Sequence, residues 1–169
     1  STPFTGVFDG NGHTISNAVI NQPNSDYIGL FGHVFYPGQI RNLGVVNVDI
    51  QGRKYVGGLM GAGGGTIISS CYSAGNVSGD SEVGGLVGSG GGIIISCYSA
   101  GNVSGNQNIG GLGGYIYSSS ISSCYSDSSV SGGDYVGGFA GRNDSTITSC
   151  YATGTVSGSG WAVGGLVGA

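Results

Sequence analysis

Val56-Gly-Gly-Leu-Met-Gly61, Val83-Gly-Gly-Leu-Val-Gly88, Ile109-Gly-Gly-Leu-Gly-Gly114, Val136-Gly-Gly-Phe-Ala-Gly141 and Val163-Gly-Gly-Leu-Val-Gly168 repeat one motif, and Ile28-Gly-Leu-Phe-Gly32 is a sixth copy. Their first residues are spaced 28, 27, 26, 27 and 27 apart. A second motif runs in phase with the first: Cys71-Tyr-Ser-Ala-Gly-Asn-Val-Ser-Gly79, Cys97-Tyr-Ser-Ala-Gly-Asn-Val-Ser-Gly105, Cys124-Tyr-Ser-Asp-Ser-Ser-Val-Ser-Gly132 and Cys150-Tyr-Ala-Thr-Gly-Thr-Val-Ser-Gly158. Ile stands three residues before each Cys, at positions 68, 94, 121 and 147. The segment Ile40-Arg-Asn-Leu-Gly-Val-Val-Asn-Val-Asp-Ile50 fits the same frame when Leu43 takes the place of Cys. It then carries one extra residue before Ile50, which accounts for the single spacing of 28.

A period of this length suits helical repeats, leucine-rich repeats or the coils of a β-solenoid. The residues decide among them. Val, Ile and Tyr hold the ordered positions, 39 Gly interrupt every run, and Leu, Ala, Glu and Lys at helical spacing are missing. The Leu and Asn frame of a leucine-rich repeat is absent as well. What remains is an all-β chain of short strands, Gly at the bends and a parallel stack: a parallel β-helix of about six coils. Stacked coils lie about 4.8 Å apart, so every column of the alignment becomes a ladder along the axis, roughly 30 Å long over six coils. Val or Ile at 28, 56, 83, 109, 136 and 163 is expected to line the core. So are Leu59, Leu86, Leu112, Phe139 and Leu166, and Val77, Val103, Val130 and Val156.

Charged residues make up only 7% of the 169 residues, far below the ordinary share of about 25%. The hydrophobic share of 38% still separates the chain from highly charged disordered sequences. Four basic residues, Arg41, Arg53, Lys54 and Arg142, against a net charge of −4 leave no electrostatic footprint for nucleic acid. No run approaches the ~20 apolar residues of a membrane-spanning helix. The length suits one solenoid domain, residues 1–169, with an N-terminal coil at 1–27, repeats over 28–162 and the start of an incomplete coil at 163–169. The chain opens on Ser1 rather than Met and stops inside a motif that is whole elsewhere, so it is expected to be part of something longer.

These repeats resemble the GLUG motif, named for its Gly-Leu-x-Gly core, and the opening Pro3-Phe-Thr-Gly-Val-Phe-Asp-Gly-Asn-Gly-His-Thr-Ile15 is similar to the coil that precedes GLUG arrays. The resemblance spans nearly the whole chain. It implies a right-handed turn, a place in large secreted or surface proteins such as adhesins and the non-catalytic parts of immunoglobulin A peptidases, and a scaffold role rather than an activity. The residue before the Cys, often Asn in that family, is Ser at 70, 96, 123 and 149 and Asn only at 42. An internal Asn ladder is thus expected to have become a Ser ladder.

Three clusters invite a functional reading. Cys71, Cys97, Cys124 and Cys150 fall one per coil, without the CxxC spacing of a zinc site. They suit a buried ladder of free thiols; disulfides between neighbouring coils or a metal remain alternatives. Tyr72, Tyr98, Tyr125 and Tyr151 should face the opposite side. They form either a strip that binds sugars or another filament, or a stack that stabilises the coils. Asp80 and Glu82 stack over Asn106 and Asn108, an oxygen-rich corner that makes calcium the one candidate cofactor. A solvated loop is the favoured reading of the two.

Catalysis finds no motif. His13 and His33 stand apart from most of the acids, there is no HExxH or Gly-x-Ser-x-Gly, and no three carboxylates share a column as in polysaccharide-cleaving solenoids. Three non-enzymatic roles compete: a stalk or scaffold module of a surface protein, a subunit that assembles end to end with identical subunits, and a face that binds carbohydrate or ice. The ice reading lacks a regular Thr array, since Ser69, Ile95, Ser122 and Thr148 share its column. The expected partners are flanking domains of a longer chain or further copies of this one.

Overall fold

A computed structural model describes residues 2–169. Each repeat folds into three strands that turn around one core. In the central coil these are Ser81–Gly84, Val87–Ile95 and Tyr98–Ser104, after which Gln107–Gly110 begins the next. First strands stack into a five-stranded sheet, second strands into a seven-stranded sheet and third strands into an eight-stranded sheet. Every strand pairing among the described residues is parallel. The eight-stranded sheet has six levels: residues 14–21, 44–51, 72–78, 98–104, 125–132 and 151–158. This is the β-solenoid that the repeat spacing predicts.

The columns coincide with the aligned repeats. Val56, Val83, Ile109 and Val136 pair in register and are fully buried, as are Leu59, Leu86, Leu112 and Phe139. Val77, Val103 and Val130 close the core from the eight-stranded sheet. Burying one such side chain contributes roughly 1.5–3 kcal/mol, and here almost every coil repeats the set. The last coil departs from expectation: Val163 and Leu166 are 44% and 42% exposed, because no further coil of the described chain covers them. In the shortened first motif Leu30 takes the place of Leu59, and Phe31 pairs with Met60. Gly57, Gly84, Gly110 and Gly137 recur because a Cβ at each would run into the carbonyl oxygen three residues ahead.

Three irregularities in the period each trace to a single residue. Asn47, at φ 52°, is the extra residue where Val46 pairs with Ala74 and Val48 with Gly75. Gly65 and Ser118, at φ 64° and 48°, are single insertions in the seven-stranded sheet. The coil at Val83, which has neither, is the short one; the coil at Val136 lacks both as well and regains a residue in the longer link from Val156 to Val163. All three are β-bulges with a left-handed residue, which add a residue to one strand and leave the ladder intact on either side.

Candidate functional site

The two corners of each coil are marked by left-handed residues. One column holds Asn42, Ser70, Ser96, Ser123 and Ser149, at φ 52–54°. The four serines are exposed, so they are not the internal ladder expected of them; they turn the chain at the corner, a conformation for which Asn is better suited than most residues. The internal hydroxyl column lies three residues further on. Ser73, Ser99 and Ser126 pair in register inside the solenoid, and Ser99 donates to the carbonyl of Gly111 at 2.7 Å.

Cys71, Cys97 and Cys124 are buried and Cys150 partly so, all as free thiols. Each backbone N–H donates to the sulfur one coil on: Cys71 to Cys97 Sγ at 3.5 Å, Cys97 to Cys124 and Cys124 to Cys150 at 3.4 Å. The thiols in turn donate to carbonyls two residues back, at 3.2–3.3 Å. Contact with Cys124 and Cys71 and burial hold the Cys97 thiol protonated, and burial pushes Cys150 up. Cys97 and Cys150, held this way, are poor nucleophiles and poor metal ligands, while hydrogen bonding to Cys97 pulls Cys71 and Cys124 down. The sulfurs of Cys97, Cys124 and Cys150 each satisfy a backbone donor.

Tyr72, Tyr98, Tyr125 and Tyr151 form a continuous stack on the outside of the eight-stranded sheet, with centroids 4.7, 4.8 and 5.2 Å apart and planes within 4°. At the N-terminal end the column holds Gly44, and the Tyr72 hydroxyl reaches Thr14 Oγ1 at 3.1 Å beside a recess of about 290 Å³. The interior rings have a neighbour on each face. They offer edges and hydroxyls to solvent, which suits the stabilising reading better than stacking of a sugar ring on a free aromatic face.

The four oxygen-bearing residues at the second corner have different neighbours. Asp80 Oδ1 accepts from Asn106 Nδ2 at 2.7 Å, exposed at the coil edge. Glu82 is left-handed, at φ 56°, and half-buried beside Ser89. Burial pushes its carboxyl up, with the Ser89 hydroxyl and Lys54 pulling it back. Asn108, next in its column, has a buried Oδ1 without a hydrogen-bond partner. Among the described residues no group of three His, Cys, Asp or Glu side chains could hold a metal. Among the described residues the three ion pairs, Arg41–Asp9, Arg53–Asp26 and Arg142–Asp144, at 3.0, 2.8 and 3.4 Å, are surface contacts, and none includes Glu82.

Sequence reasoning missed one surface, formed by three adjacent columns. Tyr27, Tyr55, Glu82, Asn108 and Tyr135 make the left-handed column at the edge of the five-stranded sheet. His33, Ala62, Ser89, Tyr115 and Arg142 follow on the seven-stranded sheet, then Phe35, Gly64, Gly91, Tyr117 and Asp144. The middle two coils carry only Ala62, Ser89, Gly64 and Gly91 in the latter two columns. Aromatic rings from either side lie down over this floor. Phe35 covers Gly64, where a Cβ would stand 2.7 Å from its ring; Tyr117 covers Gly91, with 3.2 Å to its ring, and donates to Gly63 O at 3.2 Å. Tyr115 lies 5.3 Å from Tyr117, under the Arg142 guanidinium at 5.0 Å, and donates to Asp144 Oδ2 at 2.6 Å. The other flank is a run of contacts from Phe35 through His33 and Tyr27 to Tyr55, with centroids 6.1, 5.2 and 4.9 Å apart. The Glu82 charge raises the phenol of Tyr55, adds to the effect of burial on Tyr117 and contributes least to Tyr115, whose phenol is raised first by its hydrogen bond to Asp144. The signal in the sequence was the Gly-Gly-Gly runs at 63–65 and 90–92 in register with aromatic residues one coil away.

Two stretches, 105–131 and 132–157, match the GLUG motif. Halomucin of Haloquadratum walsbyi is 40% identical over 86 residues, 51% of this chain and 1% of that protein. Among solved structures, a candidate immunoglobulin A1 protease of Bacteroides ovatus superposes with a TM-score of 0.58 at 23% identity, over 89% of this chain and 61% of that one. That likeness is one of fold. The chain spans a small fraction of the curated relative and under two thirds of the solved chain. Two of its coils are matched directly and the others keep their frame: this chain is a repeat protein that carries the GLUG motif.

Proposed function

We propose that the chain is a non-catalytic structural module of a secreted or surface protein, a stiff segment that sets the position of whatever it joins. The observation that carries this reading is the continuity of its side-chain stacks. The tyrosine ladder, the N–H to sulfur ladder and the Val and Leu columns run from coil to coil with few breaks. Such a stack resists bending because any bend must open several ladders at once. The GLUG motif and the likenesses to Halomucin and to the immunoglobulin A1 protease candidate support an extracellular place. A protease in that company does not argue for catalysis here, since 23% identity carries the fold alone.

Electron microscopy with light scattering over a concentration series tests the module. A monodisperse short rod, about 30 Å along its axis by the coil rise, supports it. Long uniform fibres that grow with concentration overturn it in favour of end-to-end assembly.

A further inference from the structure

We propose that the outer face of the seven-stranded sheet, between Phe35 and Tyr117, binds a neutral glycan laid along the solenoid axis. The site is independent of the spacer role. Four features of the surface argue for it. First, the rings of Phe35 and Tyr117 rest against glycines one coil away and stay open to solvent in part, Phe35 with 50% of its surface exposed and Tyr117 half-buried. A flat exposed ring is what the apolar C–H face of a pyranose stacks on. Second, polar groups stand around the rings rather than beneath them: the Glu82 carboxylate and Ser89 hydroxyl on one side, the Tyr115 phenol with Arg142 and Asp144 at one end. A few fixed polar groups beside an apolar floor suit equatorial hydroxyls. Third, Glu82 is half-buried beside Ser89 without an ion-pair partner among the described residues, an acceptor with lone pairs left for a ligand hydroxyl. Fourth, the length fits. The backbones of Phe35 and Tyr117 stand three coil steps apart, roughly 14 Å by the coil rise, and their rings lean inward over Gly64 and Gly91 on adjacent levels, so together they floor one continuous strip along the axis that takes a short oligosaccharide.

The charges choose among ligands that stack on aromatic rings. Nucleic acid needs a basic groove, and the face offers Arg142 and Lys54 against Glu82 and Asp144. The same balance of two cations and two carboxylates offers no net positive charge to a uronic acid or a sulfated glycan. A peptide adding as a strand would need an open sheet edge, whereas this surface is the paired middle of a sheet.

Affinity electrophoresis of the full chain, in gels containing hydroxyethylcellulose, arabinoxylan, galactomannan or polygalacturonate, tests the site. The expected result is retardation by at least one neutral polysaccharide. Tyr117→Ala or Phe35→Ala should weaken it about tenfold, and Tyr98→Phe in the ladder should leave it unchanged. Glu82→Gln, which keeps the shape of the side chain, should weaken it with the protein still folded by circular dichroism. No retardation in any neutral gel overturns the proposal. So does retardation that survives Tyr117→Ala, Phe35→Ala and Glu82→Gln, or retardation confined to polygalacturonate and abolished by salt.

Discussion

On the eight-stranded sheet a tyrosine stands in every one of four successive coils, and each ring leans on the next at 4.7–5.2 Å. On the seven-stranded sheet the corresponding outer column reads Phe35, Gly64, Gly91, Tyr117, and the two rings lie down over the glycines between them. The rings differ little in chemistry. What differs is the neighbour one coil away. A ring beside another ring satisfies its faces within the protein; a ring beside glycine rests against backbone and stays open to water in part. In a parallel stack the column, more than the residue, decides whether an aromatic side chain stabilises the fold or is left available to a ligand.

The core beneath both faces sets the scale. Leu112→Ala should lower the unfolding free energy by about 2–5 kcal/mol in urea denaturation, since Leu112 is fully buried and its neighbours above and below cannot collapse into the gap. Tyr98→Ala removes two stacked partners, each worth about 0.5–1.5 kcal/mol beyond area, so a loss of about 1–3 kcal/mol is expected. Tyr117→Ala gives up one tilted ring contact, with Tyr115, and one hydrogen bond, and its loss, about 1–2 kcal/mol, should fall below that of Tyr98→Ala. Equal losses for the two tyrosines would erase the distinction drawn above.

The smallest effect has a sign that sharpens the comparison. Glu82 titrates above its ordinary value in the folded chain, so the protonated form favours folding. That contribution is present below the unfolded pKa and is lost as pH rises through the folded one. Glu82→Gln should therefore melt higher than the parent at pH 7, with the difference closing as pH falls below the ordinary carboxylate range. A parent that melts higher at pH 7 would show that the carboxylate is a structural asset.

Much of this molecule was legible from its sequence because the fold is written once per coil. Leu43 standing in the Cys column, and the extra residue before Ile50, both follow from counting, and the structure identifies that residue as Asn47. The corner columns were not legible. Ser70 and Glu82 adopt left-handed backbone that nothing in their side chains announces, and the turn sends Ser70 outward to solvent and Glu82 into the aromatic surface. The aromatic surface was hidden for another reason. Phe35 and Tyr117 belong to different repeats and neither is part of the repeated motif, so only the register of four strands brings them to one glycine floor.

The single-residue bulges at Asn47, Gly65 and Ser118 carry a consequence for how such a chain can change. One residue inserted in an α-helix turns everything after it by about 100° and scrambles the buried side. Here the slip is confined to one level, and the next valine or isoleucine falls back over its copy. Copying errors in length are thus absorbed where they arise, and whole coils can be gained, lost or exchanged without the rest of the rod having to be rewritten.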